Sequence, residues 1–253
     1  MKKLNLRQFL SKTGIFSSQK HVIEAIRNNE IKIDEEFIVN PLYQFNHKKR
    51  KVFWNGRLIE MVDDKVYILL NKPIGYLSTR LTPLDKKLKK RSMFELLENA
   101  KFDEKTKQTL FCVGRLDEDS SGLIIITNDG KLGIKIARPE SNVEKTYSIL
   151  LEKPITSDTV KKAEEGVLID LEVNKKITKY KTKKAKILQV NSTMLEIAVT
   201  EGKKREIRRI FEALGNKVLE LEKISIGNLK LKDLGLRHGE YRIVSKGKII
   251  SIF

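Results

Sequence analysis

The spacing of apolar and polar residues predicts two helices and a small hairpin at the start of the chain. Apolar residues at helical spacing predict a first helix that Gly14 ends and a second helix that Ser17 or Ser18 caps. Alternation then predicts short strands at 31–33 and 37–39, joined by an acidic turn. These elements predict a small separate module.

A loosened pattern of apolar residues predicts a linker over residues 59–64. This linker separates the module, residues 1–58, from a larger domain, residues 65–253. The chain has 253 residues, of which 40% are hydrophobic, so it can bury the cores of one large and one small domain.

The larger domain is predicted to mix strands and helices. Continuous apolar runs predict buried strands, whereas capped amphipathic stretches predict helices. The run at 123–126 is rich in β-branched residues, and turn residues at 128–130 close it. The other predicted strands lie at 66–71, 144–151, 184–190 and 193–200, and the predicted helices at 93–97, 158–165 and 207–214.

The charge of the chain favours a polyanionic partner. Lys and Arg number 51 against 33 Asp and Glu, which gives a formal net charge of +18 at pH 7. Nucleic acid is the first partner class that this excess suggests, and an anionic membrane surface is the second. A general richness in lysine would produce the same excess, so charge alone leaves the choice open.

The sequence has no pattern typical of secretion or membrane insertion. Residues 1–7 lack an apolar core of signal-peptide length, and no stretch reaches the roughly 20 apolar residues of a membrane helix. Cys112 is the one cysteine, so an intramolecular disulfide cannot form. We therefore expect a cytoplasmic protein with no membrane partner.

Cys112 and the three histidines do not predict a thiol or metal site. Cys112 lies in an apolar run, which favours a buried and unreactive thiol. His21, His47 and His238 are far apart and lack metal-ligand spacing with the cysteine. We expect no bound metal.

The central stretch, residues 113–130, places charged side chains in a tight turn directly before an apolar strand. Glycines and serines permit the tight backbone path, and Arg115 and Asp117 lie inside the turn. A basic and an acidic side chain next to a sheet form either a structural ion pair or part of a functional site. These two residues alone leave both interpretations open.

The central stretch contains Gly-Arg-Leu-Asp, two variable residues, Ser-x-Gly-Leu, an apolar run and Thr-Asn-Asp-Gly. This string resembles the catalytic motif of RNA pseudouridine synthases, in particular the ribosomal small-subunit pseudouridine synthase A family. The resemblance implies that Asp117 is the catalytic aspartate. It also implies that Arg115 fills the space left in the RNA when the target base turns out. Ser120 stands where that family more often has threonine.

Two further stretches are similar to other motifs of the same family. Asn71-Lys-Pro-x-Gly75 resembles the first motif, which shapes one wall of the cleft, so we do not expect Lys72 to be catalytic. Glu144-Lys-x-Tyr147 resembles the second motif, whose tyrosine lines the uracil pocket. In the predicted strand, Lys145 and Tyr147 share one face because side chains alternate with period two.

Residues 201–209 resemble the third motif, in which an arginine pairs with the catalytic aspartate. The pattern Glu-Gly-x-x-Arg-x-Ile-Arg-Arg gives that role to Arg208, and the family often has glutamine where this chain has Glu206. Arg205 and Arg208 are expected on one flank of a helix, with Arg209 pointing further outward. The RNA-contacting residues implied for this domain are Arg115, Lys145, Arg205 and Arg209.

The resemblance extends from about residue 66 to residue 244 and implies an α+β protein with a mixed, mainly antiparallel sheet. It implies an rRNA pseudouridine synthase that isomerises a specific uridine after flipping its base. The reaction consumes nothing, so we expect no cofactor, with ribosomal RNA as the partner and a monomeric enzyme. The catalytic residues that the resemblance implies are Asp117, Tyr147 and Arg208.

The two helices and hairpin at the start resemble, more distantly, the α-L RNA-binding module of a small-subunit ribosomal protein and of tyrosyl-tRNA synthetases. The chain departs from that module at Ser18-Gln19, where an arginine pair is usual, and at Asp34-Glu35, where Asn-Gly is usual. Its basic face either contacts phosphates or is an ordinary solvated surface. The candidate RNA-binding residues of this module are Lys20, Arg27, Lys48, Lys49 and Arg50.

Two other functions fit parts of the same pattern. Asp117, Glu118 and Asp119 could bind Mg²⁺ in a nuclease or nucleotidyl transferase, but no second carboxylate group has the spacing to complete a two-metal centre. A non-catalytic ribosome-assembly factor could keep the same fold to bind rRNA. The presence of Asp117, Tyr147 and Arg208 together argues against this last function.

Overall fold

The computed structural model describes residues 4–173 and 176–253. The chain divides into two compact units. The first unit consists of the chain up to Val66 together with the later segment Ala100–Phe111. The second unit consists of Tyr67–Asn99 and Cys112–Phe253.

The first unit begins with two short helices whose starts are capped by side chains. Asn5 caps the first helix by accepting a hydrogen bond from the Gln8 backbone N–H at 2.8 Å, and Ser18 caps the second by accepting from His21 N at 3.1 Å. The elements of this unit up to residue 59 are β1 (Leu4–Asn5), α1 (Leu6–Leu10), α2 (Gln19–Arg27), β2 (Ile31–Ile33), β3 (Glu36–Phe37), β4 (Gln44–Phe45), β5 (Val52–Trp54) and β6 (Arg57–Ile59). Strands β3, β2, β5 and β6 form one sheet in that order, and β1 pairs with β4.

Two details of the first unit differ from the sequence-based prediction. Helix α1 ends at Leu10, before Gly14, and a Cβ on Gly14 would collide with the backbone of Lys105. Gly14 is therefore required for close packing rather than for ending the helix. The hairpin strand predicted at 37–39 is β3, Glu36–Phe37.

The boundary of the first unit also lies later than predicted. Strand β6 pairs with β5, and Ile59 is buried opposite Val52, so the predicted linker at 59–64 begins inside the sheet. The separate segment Ala100–Phe111 belongs to this unit as well. Sequence periodicity cannot reveal such a segment because its partners lie far away along the chain.

The second unit is built around one twisted sheet, with a segment of the first unit inserted in its sequence. In chain order, the elements from residue 67 onwards are β7 (Tyr67–Lys72), β8 (Tyr76–Leu77), α3 (Pro83–Lys87), β9 (Arg91–Ser92), a 3₁₀ helix (Met93–Leu97), α4 of the first unit (Glu104–Thr109), β10 (Phe111–Val113), β11 (Ser121–Thr127), α5 (Gly130–Ala137), a 3₁₀ helix (Pro139–Ser141), β12 (Lys145–Leu151), α6 (Ser157–Glu165), β13 (Leu168–Val173), β14 (Lys176–Lys181), β15 (Lys186–Gln189), β16 (Met194–Val199), α7 (Glu206–Ala213), β17 (Val218–Ile226), β18 (Leu229–Lys230), a 3₁₀ helix (Leu231–Leu234), β19 (Tyr241–Ile243) and α8 (Lys246–Ile250).

The central sheet confirms the predicted mixed, mainly antiparallel architecture of an α+β protein. Its path is β15-β16-β12-β17-β11-β7-β19. Neighbouring strands on this path are antiparallel except β11 and β17, which run parallel. All seven residues of β11 are buried, because both faces of the sheet are covered there.

Several elements of the second unit were not predicted, among them α5, the β13–β14 pair and β17. Asn128, Asp129 and Gly130 do not close a simple turn, because the Asp129 carboxylate caps helix α5 by accepting from Leu132 N at 3.2 Å. The Tyr67 hydroxyl donates to the same carboxylate at 2.9 Å and fixes the cap from β7. Strands β13 and β14 form a hairpin in a lysine-rich stretch with weak alternation. In the described residues, no helix is long and apolar enough to cross a membrane.

Candidate active site

The turn between β10 and β11, residues 114–120, is held in place by the segment that follows β7. The Ser78 hydroxyl donates to Leu116 O at 2.6 Å and accepts from Leu116 N at 3.0 Å. The backbone N–H of Gly75 donates to Glu118 O at 2.8 Å. These bonds fix the backbone on both sides of Asp117, so the position of its side chain is well defined.

Lys72 supports the same turn from beneath. Its side chain is fully buried, and its Nζ donates to Ser120 O at 2.7 Å and to Pro73 O at 2.9 Å. Burial lowers the pKa of Lys72 to about 8, and the negative charge of Asp117 opposes that shift. The two carbonyl contacts give Lys72 a supporting place in the cleft wall.

Asp119 is held by two arginines at the start of α7. Arg205 adopts a left-handed backbone conformation just before the helix, and its two terminal nitrogens donate to the Asp119 carboxylate at 3.1 Å. Arg208 donates from Nη2 to Asp119 O and from Nη1 to Val218 O, both at 2.7 Å. Burial alone would raise the pKa of Asp119, but the hydrogen bonds and charge of the arginines lower it. Asp119 is therefore a charged anchor between the turn and α7.

The predicted pairing of Arg208 with Asp117 is corrected by this geometry. The ion-pair contact that the structure gives Asp117 comes from Arg205, whose Nη1 lies 3.9 Å from the carboxylate. The Arg208 side chain is 11% exposed and directed at Asp119, because Val218 O and Asp119 O take its donors. Arg205 precedes the helix instead of lying on a helical face with Arg208.

Arg209 also differs from its predicted orientation. Its side chain is half-buried, not directed outward, and Nη1 is a buried donor without a partner among the described residues. Helical geometry alone could not show this, because the neighbouring parts of the fold cover the side chain.

A pocket of about 430 Å³ opens beside the turn. Of the three acidic residues in the turn, Asp117 lines this pocket, and its side chain is 30% exposed. Glu118 is instead paired with Lys90, whose Nζ lies 2.8 Å from its carboxylate. The exposed Arg115 also lines the pocket. Other charged or polar residues of the lining are Ser120, Lys145, Tyr147, Thr200, Glu201, Lys203, Lys204, Arg205, Glu206 and Lys223.

Strand β12 places Lys145 and Tyr147 on the pocket side, as their period-two spacing predicts. Both side chains are half-buried. Burial raises the pKa of Tyr147, and the negative charges of Glu206 and Asp117 raise it further, so the phenol stays protonated. Burial lowers the pKa of Lys145, while Glu206 opposes that shift.

Glu206 is a buried acid at the pocket wall. Burial, together with the neighbouring Glu201, raises its pKa to about 8. Glu201 is the ionised partner, because it accepts hydrogen bonds from the Tyr180 hydroxyl at 2.5 Å and from Lys183 N at 2.7 Å. A protonated Glu206 resembles a glutamine, since both present a hydrogen-bond donor beside a carbonyl acceptor.

Lys223 is a pocket residue that the sequence analysis missed. It lies on β17 and is 4% exposed. The available signal was its place in the strand, where Leu221, Lys223 and Ser225 follow the buried period-two alternation. A lysine at an inward strand position is unusual because burial of its charge is costly.

Cys112 has the unreactive environment that its sequence context predicts. The side chain is half-buried, and Sγ lies 3.0 Å from Ser78 O and 2.9 Å from Gly114 O. Burial raises the pKa of the thiol. In the described part of the chain, no group of three or more His, Cys, Asp or Glu residues could hold a metal ion.

The basic candidates of the first unit fall into two groups. The side chains of Lys20, Arg27, Lys48 and Lys49 are exposed and accessible to a ligand. Arg50 is half-buried, lies 2.5 Å from the Asp34 carboxylate and donates to the Tyr43 hydroxyl at 3.2 Å. Its guanidinium therefore supports the hairpin turn, where Asp34 has a left-handed backbone conformation.

Similarity to known proteins identifies the family of this chain. The RNA pseudouridylate synthase family matches residues 66–213. Ribosomal small subunit pseudouridine synthase A of Vibrio vulnificus is 33% identical over 99% of this chain and all of its own. The protein of the same name from Escherichia coli K12 is 31% identical over 90% of each chain.

A solved structure described as a pseudouridylate synthase is 27% identical to this chain. It superposes with a TM-score of 0.67 over 99% of this chain and all of its own. The sequence match covers more than half of the chain, and the fold match covers nearly all of it. The chain therefore belongs to the family of RNA pseudouridine synthases.

Proposed function

We propose that the protein converts a specific uridine in the RNA of the ribosomal small subunit to pseudouridine, with Asp117 as the catalytic carboxylate. One observation carries the role of Asp117. Cations pair Glu118 and Asp119 away from the pocket, whereas Asp117 lines it at the end of a rigid turn. The names of the similar proteins support the substrate.

The reaction requires a base that has left the RNA stack. Arg115 is exposed at the pocket and can occupy the space that the flipped base leaves. Asp117 then either attacks C1′ or removes a proton from C2′, and both routes break the C1′–N1 bond. The detached base turns and C5 bonds to C1′, which releases Asp117 from C1′ on the first route and returns the proton to C2′ on the second. The proton lost from C5 is balanced by one gained at N1.

The neighbouring residues have supporting roles in this proposal. Tyr147 stacks on or hydrogen-bonds the detached base and, as a protonated phenol, can donate a proton. Arg208 acts through Asp119, since it ties the backbone of the turn to β17. Lys145, Arg205 and Arg209 add positive charge near the RNA path.

We also propose that the first unit binds rRNA and that the enzyme acts as a monomer in the cytoplasm. The accessible cations of the first unit are Lys20, Arg27, Lys48 and Lys49. Exchanging Lys48 and Lys49 for glutamate should weaken RNA binding and reduce the salt dependence of affinity, by about one slope unit per lost phosphate contact. The single-turnover rate at saturating RNA should not change. An unaltered affinity and salt slope would contradict a role for this surface.

A direct assay tests the function. Purified protein is incubated with small-subunit rRNA and with assembling small subunits in EDTA, and pseudouridine is then mapped by chemical modification. A synthase forms pseudouridine at one site or a few neighbouring sites, and Asp117→Asn forms none. A metal-dependent nuclease stops in EDTA, and a non-catalytic assembly factor binds the RNA without product. Either of these two results would overturn the proposal.

A further inference from the structure

We propose that Lys223 is a further catalytic residue, whose ammonium binds a carbonyl oxygen of the uracil and stabilises the negative charge on the base after the C1′–N1 bond breaks. This inference rests on the proposed function. It concerns a residue beyond the 66–213 stretch that the family match covers.

The sheet places Lys223 between the two strands that carry the site. On one side β17 pairs with β12, where Lys223 is the Cα partner of Tyr147. On the other side β17 runs parallel to β11, where Lys223 is the partner of Gly122. Directly paired residues project to the same face of a sheet, so Lys223 and Tyr147 share the pocket face. Lys223 Nζ lies 5.5 Å from the centroid of the Tyr147 ring.

The environment of Lys223 lacks the partners that a structural lysine has. Lys72 is equally inaccessible, but two carbonyl oxygens accept hydrogen bonds from its Nζ. Within the described residues, Lys223 Nζ has no hydrogen-bond acceptor and no carboxylate within 4.0 Å, and its side chain is 4% exposed. Lys223 Nζ keeps some accessible surface, and the residue lines the pocket. An ammonium with so little water around it and no acceptor is costly, so this group is arranged for a ligand that brings the acceptor.

The surrounding charges also favour an anionic ligand. Lys145 and Lys72 place two further positive charges near Lys223, and Asp117 opposes them. Burial, followed by repulsion from Lys145, lowers the pKa of Lys223 to about 8, and Cys112 and Asp117 raise it. The ammonium form still predominates near neutral pH. A negatively charged base entering this group of lysines would be attracted.

The chemistry of the reaction supplies such a ligand. When C1′–N1 breaks, its electron pair stays with the base and spreads over N1, O2 and O4. A cation beside a carbonyl oxygen stabilises this anion more than the neutral base of the ground state, which lowers the barrier. Lys223 does not need to transfer a proton, because the isomerisation itself balances the proton from C5 with the one at N1.

The test compares two RNAs whose leaving bases differ in how strongly the enzyme must stabilise their negative charge. One carries uridine at the target position, and the other carries 5-fluorouridine, whose electron-withdrawing fluorine stabilises the anionic base. Loss of the parent nucleoside is followed under single-turnover conditions for the wild type and Lys223→Met. We expect Lys223→Met to slow the uridine RNA about 100-fold and the 5-fluorouridine RNA about 10-fold.

Two further variants separate catalysis from packing. Lys72→Met removes the other buried lysine and loosens the turn, so it should slow both RNAs by the same factor. Lys223→Arg keeps the charge and should recover part of the rate on uridine RNA. If Lys223→Met does not fold, as judged by its melting curve, Lys223→Gln is compared on the same two RNAs.

Different results would contradict the role of Lys223 and the proposed function. Equal slowing of both RNAs by Lys223→Met, or no slowing at all, would overturn the catalytic role of Lys223 while the wild type remains active. A wild type that modifies no ribosomal RNA would overturn the proposed function, and the role of Lys223 with it. A larger penalty on uridine than on 5-fluorouridine, with unchanged RNA affinity, supports the inference.

Discussion

The turn that carries Asp117 and the opposite wall of the pocket hold their charges in different ways. In the turn, Arg205 pairs with Asp119 and Lys90 pairs with Glu118. In the wall, Lys223 is 4% exposed and has no acceptor among the residues that the structure describes, and Glu206 keeps its proton. Paired charges fix positions, because each partner limits where the other can be. A buried cation that lacks such a partner instead exerts a strong local field on whatever enters the pocket.

The largest effect should come from removing the one turn carboxylate that faces the pocket. Asp117→Asn is nearly isosteric, so the turn should keep its backbone bonds to Ser78 and Gly75. We expect turnover to fall below detection while RNA affinity holds or rises slightly, since one negative charge near phosphates is lost. Single-turnover tritium release from RNA labelled at uridine C5 measures this. Wild-type release by Asp117→Asn would refute its catalytic role.

A smaller loss of activity should follow from weakening the hydrogen bonds by which Arg208 holds the turn. Arg208→Lys keeps the charge but cannot donate to Val218 O and Asp119 O from a planar fork. We expect about a 10-fold slower single-turnover rate, through misplacement of Asp117, and a lower melting temperature. An activity as low as that of Asp117→Asn would contradict the positioning role. Unchanged activity would contradict it equally.

Glu206→Gln should have a moderate effect that depends on pH. The pKa of Glu206 is about 8 in the folded state against 4.5 in the unfolded state, so its contribution to stability is complete below pH 4.5 and is lost as the pH rises through 8. The amide cannot ionise. We therefore expect the melting temperature of Glu206→Gln to exceed that of the wild type by a margin that grows between these pH values.

Glu201→Gln provides the matched control for the pH series. The pKa of Glu201 is lowered against the opposing effect of burial by its hydrogen bonds with Lys183 and Tyr180, so its contribution is present at high pH and is lost as the pH falls through the folded-state pKa. This variant should be least stable, relative to the wild type, at high pH. A stability difference for Glu206→Gln that does not vary with pH would show that Glu206 is ionised in the folded protein.

The smallest effect should come from the pair on the outer side of the turn. The side chains of Lys90 and Glu118 are 37% and 36% exposed, so water screens their interaction. We expect Glu118→Gln to change the single-turnover rate by less than about threefold and stability by about 1 kcal/mol or less. High salt should reduce the difference in stability between Glu118→Gln and the wild type. A rate loss comparable to that of Asp117→Asn would show that Glu118 also has a role in the reaction.

The sequence predicted the elements whose signals are local. The apolar run at 123–126 predicted β11, and the spacing of Lys145 and Tyr147 predicted their shared face. The boundary at residue 58 and the partner of Arg208 were not predictable, because contacts with distant segments decide both. Helix α5 was missed because two glycines and an Asn-Asp-Gly sequence are typical of turns, whereas Asp129 acts as a cap.

The interior of the pocket was the least predictable part. Lys223 has no motif around it, and its importance follows from register, burial and missing partners, which a sequence does not display. Glu206 was noticed as a departure from the usual glutamine, but its protonation depends on Glu201 and on burial. Pattern recognition finds groups that a family shares, whereas the electrostatics of a site depend on the assembled structure.

The parallel pairing of β11 with β17 determines when the site can exist during synthesis of the chain. About 100 residues separate Gly122 from its partner Lys223, so this register closes a long loop, which is slow and entropically costly. The chain leaves the ribosome with Asp117 first, and the strand that completes the pocket follows much later. A nascent chain therefore carries Asp117, the carboxylate that we propose to be catalytic, before its pocket exists. Gly122 controls this last step, since any Cβ there would collide with the Lys223 backbone.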